Sequence, residues 1–159
     1  MKSGKFVGLL NVGFRRSHLI MVRDGLPYYV RDFAMGGRDF TYALQMGDQV
    51  TWEEAERRKL THDSLLVHPS IEPFLGKFAR EVARALAYFR QQFASEELTV
   101  ERLFLSGGTS RLKGFDQYLT NAVGIPTQVD DAIGLSWLPQ SDKKEAGCYK
   151  VAIGLALEE

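Results

Sequence analysis

The alternation of apolar and polar residues predicts a sheet at the N-terminal end of the chain. Apolar runs over 5–13 and 17–23 predict two strands, the first of them buried on both faces, and 27–34 predicts a third strand. Asp24-Gly25 is a strong signal for a tight turn between the second and third strands. Two successive hairpins therefore predict an antiparallel meander of three strands.

The middle of the chain changes to helical spacing. A helix is predicted over about 38–46, ended by Gly47, and another over about 51–60. The second helix begins at Thr51-Trp-Glu-Glu54, the pattern of a capping box, in which Thr51 and Glu54 satisfy each other's backbone N–H groups. After a polar loop over 61–70, apolar residues recur every three or four positions and predict one long amphipathic helix. Its apolar face is formed by Ile71, Phe74, Leu75, Phe78, Val82, Leu86, Phe89 and Phe93.

The next stretch reads as strand, glycine turn and helix. Leu103 to Leu105 suit a buried strand, and Gly107-Gly108 permits a tight turn with exposed backbone. Thr109 or Ser110 is the expected N-cap of the following helix, whose apolar positions are Leu112, Phe115 and Leu119. Because such a junction leaves N–H groups free at a helix start, it favours a nucleotide or anion site, although a plain turn fits the same pattern.

The remaining residues complete an α/β plan. A return strand is predicted within 124–130, a loop over 131–145 and a last helix over about 148–157. The whole order predicts a mixed sheet of about five strands, containing the three-strand meander, with flanking helices. This is the architecture of a ribonuclease-H-like lobe.

Composition narrows the class of protein. Twenty basic residues balance twenty acidic ones, which argues against a nucleic-acid partner. No apolar run approaches the roughly 20 residues that span a bilayer, so no membrane span is predicted. One cysteine excludes an internal disulfide framework and, with three scattered histidines, gives no basis for a metal site.

Several motifs together resemble the second lobe of the actin-like ATPases, and within that superfamily the PilM family of type IV pilus assembly proteins, related to FtsA. The resemblance covers nearly all of residues 1–159 as one lobe, in which about 48–98 would form a small helical insert, a reduced subdomain IIB. The motifs are Asn11-Val-Gly-Phe-Arg-Arg-Ser17, Arg31-Asp-Phe-Ala-Met-Gly-Gly-Arg-Asp-Phe-Thr41, Glu53-Glu-Ala-Glu-Arg-Arg-Lys-Leu60, Glu81-Val-Ala-Arg-Ala-Leu-Ala-Tyr-Phe89, Leu105-Ser-Gly-Gly-Thr-Ser-Arg-Leu-Lys-Gly114 and Ala152-Ile-Gly-Leu-Ala-Leu157.

The resemblance implies an ATP or ADP site and assigns residues to its parts. The glycine turn would contact adenine and ribose, with the Arg111 guanidinium on the base. Glu56 and Lys59 would bind ribose hydroxyls and adenine, and the first hairpin would hold phosphates. The implied contact residues are Asn11, Gly13, Arg15, Ser17, Gly36, Gly37, Glu56, Lys59, Gly107, Gly108, Thr109 and Arg111.

The phosphate motif departs from the family pattern. Asn11 stands where the family has Asp, and a neutral amide cannot act as a base or help hold a magnesium-bound water. Large residues, Phe14 and Arg15, also occupy positions that are usually small, although arginine can pair with phosphate. Phosphate binding therefore stays open, hydrolysis is expected to be weak or absent, and the catalytic residues are unknown.

Actin-like sites lie between two lobes, so we expect this chain to be one half of a larger protein. The resemblance then implies a scaffold in the cytoplasm, peripheral at the inner membrane, that binds Mg²⁺ only when both lobes are present. A PilN-like inner-membrane partner would bind through the other lobe, and self-association is a further option.

Two other functions fit the same sequence. One is an interaction module like FtsA or GspL, with the same fold and a decayed nucleotide site. The other is a small-molecule kinase, which would need a substrate-binding lobe and a catalytic acid.

Overall fold

A computed structural model describes residues 4–61, 65–94 and 98–130 of the chain. These residues form a five-stranded mixed sheet with helices packed on one face. The predicted loop over 131–145 and the predicted last helix lie outside the described residues.

The strands are β1 (Gly4–Val12), β2 (Ser17–Arg23), β3 (Leu26–Phe33), β4 (Leu98–Ser106) and β5 (Thr127–Val129). Their order across the sheet is β3-β2-β1-β4-β5. The first three strands pair antiparallel, as the meander predicts, whereas β4 and β5 are parallel to β1. The prediction of an α/β lobe with a five-stranded mixed sheet is confirmed.

The helices are α1 (Gly37–Asp48), α2 (Trp52–Thr61), α3 (Glu72–Gln92) and α4 (Phe115–Val123). Short 3₁₀ helices occupy Leu65–Val67 and Gly108–Arg111. The 3₁₀ helix over Leu65–Val67 lies within the loop that the sequence predicts over 61–70.

Gly47 does not end α1. The helix continues to Asp48, and Gln49 takes the left-handed terminal position with φ 55°. Gly47 is instead required by packing, because a side chain there would collide with Ser70. The sequence shows that Gly47 lies near a helix end. It does not show that Ser70 occupies the space where a side chain at position 47 would lie.

The capping box at α2 is half formed. The Glu54 N–H donates to the Thr51 hydroxyl over 3.2 Å, as predicted. The Glu54 carboxylate turns instead to Arg57 and Arg58, whose guanidinium groups donate to it over 2.8–2.9 Å. The two arginines give the carboxylate three donors, two of them in a bidentate pair with Arg57, whereas the capping box would give it one backbone N–H; the carboxylate therefore turns to the arginines.

The core lies between α3 and one face of the sheet. The predicted apolar face of α3 is confirmed, with Leu75, Phe78, Val82 and Phe89 buried. The Phe89 ring packs edge-on against Phe6 of β1, with ring centroids 5.0 Å apart.

Strand β1 is buried on one face only, so the prediction of burial on both faces is wrong. Phe6, Leu10 and Val12 point into the core, whereas Leu9 on the other face is 40% exposed. An uninterrupted apolar run is typical of a strand buried on both faces. A strand with one exposed face can carry the same residues, so the run alone does not decide between them.

Candidate functional site

The first hairpin, the start of α1 and the glycine turn after β4 meet at one end of the sheet. The Gly37 and Arg38 N–H groups, at the start of α1, donate to the carbonyl oxygens of Gly13 and Phe14 over 2.8 and 2.7 Å. The Thr109 hydroxyl donates to the same Gly13 carbonyl over 3.2 Å. The start of α1 and the glycine turn, which are far apart in sequence, are thereby bonded to one carbonyl group of the hairpin.

The two glycines of the turn have different roles. Gly107 has φ +85°, and a side chain there would lie 2.5 Å from the Val12 carbonyl oxygen. It is needed so that the end of β4 can turn tightly against β1. Gly108 has nothing within 4 Å of the place where a side chain would begin, so its missing side chain leaves open space beside the turn.

Thr109 and Ser110 do not cap α4, contrary to prediction. The 3₁₀ helix over Gly108–Arg111 intervenes, and Gly114, with φ 80°, precedes the first residue of α4. The Ser110 hydroxyl donates to the Gly107 carbonyl over 2.7 Å. Both hydroxyls thus hold the turn rather than the helix.

Close packing explains the glycine pair before α1. A side chain at Gly36 would lie 2.6 Å from two carbonyl oxygens of the first hairpin. A side chain at Gly37 would lie 2.6 Å from the Thr109 hydroxyl oxygen. The two glycines therefore allow α1 to approach the hairpin and the glycine turn.

Lys59 of α2 is buried in a network that fixes Glu56. Its ammonium group donates to the Gly37 carbonyl over 3.3 Å and to the Thr41 hydroxyl over 2.9 Å. It also pairs with the Glu56 carboxylate over 2.7 Å, and Thr41 donates to that carboxylate. Because an ammonium group has three donors, these acceptors satisfy Lys59. The Glu56 side chain remains 35% exposed and is the group of the pair that a ligand can reach.

The hairpin, the start of α1, the helix α2 and the glycine turn surround a cavity of about 570 Å³ that is open to solvent. Its volume falls in the range of small-molecule and cofactor sites. The lining combines backbone of the glycine turn, one carboxylate, cationic side chains and apolar groups. The lining residues are Gly13, Phe14, Gly37, Glu56, Lys59, Leu60, Thr61, Leu65, Gly108, Thr109, Arg111, Leu112 and Lys113.

Most of the sequence-predicted contact residues line this cavity. They are Gly13, Gly37, Glu56, Lys59, Gly108, Thr109 and Arg111. Gly36 and Gly107 are not among the lining residues and are the packing glycines described above.

The other predicted residues lie elsewhere at the hairpin. The Asn11 amide donates to the Ser106 hydroxyl over 3.1 Å. Ser17 is buried and donates to the Met35 carbonyl over 2.8 Å. Arg15 is exposed in the loop, and the Gly13 N–H is already bonded to the Arg16 carbonyl.

Sequence reasoning missed several parts of the site. Thr41 is only the last residue of a motif in the sequence, yet in the structure it joins Lys59 to Glu56. Its position one helical turn after Gly37 was the available signal. The apolar wall includes Leu65 and Leu112, which are distant in sequence, so no local pattern could have paired them.

A family model described as "Type IV pilus assembly protein PilM" matches residues 1–159, the whole chain. This chain belongs to the PilM family. The assignment made from the motifs is therefore confirmed.

Solved structures agree with the family and with the fold. A PilM–PilN type IV pilus biogenesis complex contains a chain that is 27% identical, with a TM-score of 0.80 over 98% of this chain. The ethanolamine utilization protein EutJ from Carboxydothermus hydrogenoformans is 19% identical, with a TM-score of 0.63 over 80% of this chain and 44% of its own. MreB5 of Spiroplasma citri, solved with AMPPNP, is 13% identical, with a TM-score of 0.66 over 98% of this chain and 55% of its own.

This PilM-family chain spans 46% of the length of the chain in the PilM–PilN complex. That matched chain is thus about twice as long as this chain. Within the part that the structure describes, no helix is long and apolar enough to cross a membrane.

Proposed function

We propose that this PilM-family chain is the nucleotide-binding half of a cytoplasmic scaffold for assembly of a type IV pilus or a related secretion machine. One observation carries the proposal. The cavity brings together the hairpin, the start of α1, the Glu56 helix and the glycine turn, although Gly13 and Thr109 are 96 residues apart in the sequence. An apolar cavity with a few fixed polar groups is typical of a ligand site, and a nucleoside matches this combination.

Each part of the cavity suits one part of ATP or ADP. Glu56, which is held by Lys59 and Thr41, is a reachable carboxylate that accepts hydrogen bonds from the ribose hydroxyls. Lys59 then acts as a positioning residue, because its donors are directed inward. The open space beside Gly108 lets the base approach the backbone, and Arg111 stacks on the base.

The phosphate end is less well equipped than the base end. The Gly13 carbonyl and N–H are both used within the protein. Arg15 and Arg16 remain as cationic side chains of the hairpin that can pair with phosphate. The neutral Asn11, bonded to Ser106, supplies no base, so we propose weak or absent hydrolysis, with Mg²⁺ held only when a second lobe is present.

The chain length supports a two-lobe protein, since the relative in the PilM–PilN complex is about twice as long. We place the partner site for a PilN-like inner-membrane protein on that other lobe. The scaffold would then be cytoplasmic and peripheral at the inner membrane.

Calorimetric titration of ATP and ADP into this chain and into the full-length protein tests the proposal. We expect binding by the full-length protein and weaker binding by the single lobe, because a half-site offers fewer contacts. If neither protein binds either nucleotide, the proposal is wrong.

A second function is an FtsA-like or GspL-like interaction module with a decayed nucleotide site. It is favoured by Asn11 and Ser17, both of which are bonded within the protein and away from the cavity. Pull-down of partner proteins by the wild type and by Arg111→Ala, with and without ATP, separates the two. Capture that depends on ATP and on Arg111 would exclude the pure module.

A further inference from the structure

Thr41 is a fully buried residue of α1 whose hydroxyl group contacts Glu56. The hydroxyl oxygen accepts a hydrogen bond from the Lys59 ammonium group over 2.9 Å. Its single proton has two acceptors within reach, the Gly37 carbonyl at 3.2 Å and the nearer Glu56 carboxylate. Because the bond to the charged acceptor is both shorter and stronger, the proton is assigned to Glu56.

The two oxygens of the Glu56 carboxylate are used unequally. Oε2 accepts hydrogen bonds from Thr41 and from Lys59, the second of these over 2.9 Å. Among the described residues, Oε1 accepts from Lys59 alone, over 2.7 Å. Since each carboxylate oxygen has two lone pairs, Oε2 is saturated and Oε1 keeps one free acceptor position.

This difference between the oxygens comes from Thr41. Lys59 spans both oxygens, at 2.7 and 2.9 Å, so on its own it would leave one free position on each. The Thr41 hydroxyl fills the second position of Oε2. A carboxylate in this state cannot accept two neighbouring hydroxyl groups on two different oxygens.

We propose that Thr41 is a positioning residue, which makes Glu56 bind only one of the two ribose hydroxyl groups of a nucleotide. This inference rests on the proposed function, in which Glu56 faces the ribose. Thr41 is not among the residues that line the cavity, so it acts through Glu56 and not by touching the ligand. The site then distinguishes between nucleotides that lack one ribose hydroxyl and those that lack the other.

Calorimetric titration of the full-length protein with ATP, 2′-deoxy-ATP and 3′-deoxy-ATP tests the selectivity. We expect one analogue to bind roughly tenfold or more weakly than ATP, because the carboxylate loses a charge-assisted hydrogen bond. The other analogue should bind within about threefold of ATP, since its missing hydroxyl has no bond to Glu56 to lose.

The outcomes separate this inference from the proposed function. Equal weakening by both analogues, or no weakening by either, would overturn the role of Thr41 while leaving a nucleotide site in place. Absence of binding by ATP itself would overturn the proposed function and this inference with it. These titrations use the unmodified protein, so they do not depend on the folding of a variant.

Thr41→Val assigns the selectivity to the Thr41 hydroxyl. The variant has no donor for Oε2, so the two oxygens of Glu56 become alike. We expect the ratio of the two analogues' Kd values to fall from roughly tenfold or more to less than about threefold. Because the ratio compares two ligands on one protein, a change in stability does not alter it.

Two further variants complete the test. Thr41→Ser keeps a hydroxyl group and should restore the wild-type ratio. Thr127→Val is the matched control, since Thr127 is also buried and donates to the Ile125 carbonyl over 3.0 Å, but does not line the cavity. It should leave the ratio unchanged. A wild-type ratio in Thr41→Val would overturn the positioning role.

Discussion

At the scale of single residues, the glycines of the site differ in what occupies the space where a side chain would lie. Gly107 and Gly37 leave room for other parts of the protein, the Val12 carbonyl and the Thr109 hydroxyl, whereas Gly108 borders open cavity. The sequence shows all of these as similar glycine pairs. Only the structure separates Gly108, which borders the cavity, from the glycines that permit packing.

Substitution at Gly108 should therefore separate binding from stability. Gly108→Leu adds a side chain where nothing lies within 4 Å, so the midpoint of urea unfolding should stay close to that of the wild type. The same side chain fills space that we assign to the nucleotide, so affinity for ATP should fall at least tenfold. Gly37→Ala is the contrasting variant. It should lower stability because its methyl group meets the Thr109 hydroxyl oxygen at 2.6 Å.

Lys59 gives a second prediction at this scale. Lys59→Ala removes the donor that holds Glu56 and leaves the Gly37 carbonyl without this partner. Hydrogen bonds that involve a charged group contribute about 1.5–3 kcal/mol, and we expect a loss of about that size in urea unfolding. Lys77, exposed on α3, is the control: Lys77→Ala should change stability by less than about 0.5 kcal/mol. Equal effects of the two changes would contradict the network.

At the scale of elements, periodicity predicted the structure well where burial is one-sided and continuous. The apolar face of α3 is an example, and so is the three-strand meander, where Asp24 and Gly25 both take positive φ. Prediction failed at element ends, as at Gly47 and at the start of α4. There the outcome depends on contacts with Ser70 or on an inserted 3₁₀ turn, which come from distant or irregular parts of the chain.

Substitutions in α3 test the packing of the core directly. Phe89→Ala should cost about 3–5 kcal/mol, because Phe89 is fully buried and contacts Phe6. The neighbouring Tyr88 is 58% exposed, and Tyr88→Ala should cost far less. Chemical denaturation of both variants measures the difference. A similar loss in both would show that α3 does not bury the face assigned to it.

The ion pairs of Glu54 with two arginines of α2 should respond to acid. The Arg58 guanidinium, followed by that of Arg57, holds the pKa of the Glu54 carboxyl below its ordinary value of 4.5. A carboxyl whose pKa is lower in the folded state stabilises the fold above pH 4.5, and this contribution is lost as pH falls through the lower folded value.

In Arg58→Gln, the pKa of Glu54 should rise toward 4.5, and the fold should lose less stability on acidification than the wild type does. NMR titration of the Glu54 carboxyl carbon measures the pKa directly. Arg84→Gln, which disrupts an exposed pair on α3, should leave the pKa of Glu54 unchanged. An unchanged pKa in Arg58→Gln would contradict the assigned contact.

At the scale of the whole molecule, the chain is a PilM-family lobe with a cavity at one end of its sheet and an exposed strand at one edge. Motif order was enough to predict the family and the fold, and more than half of the residues that it assigned to a nucleotide site line one cavity. It did not predict that Lys59 is directed inward or that Asn11 is bonded to Ser106. These arrangements depend on the packing of α1 against α2 and of β1 against β4, which no local pattern records.

The most direct test is a titration of ATP into the full-length protein and into its Gly108→Leu variant, with unfolding midpoints measured in parallel. We predict saturable binding by the wild type and at least tenfold weaker binding by the variant, at unchanged stability. Absence of binding by the wild type, or equal affinity in both proteins, would contradict a nucleotide site in this cavity.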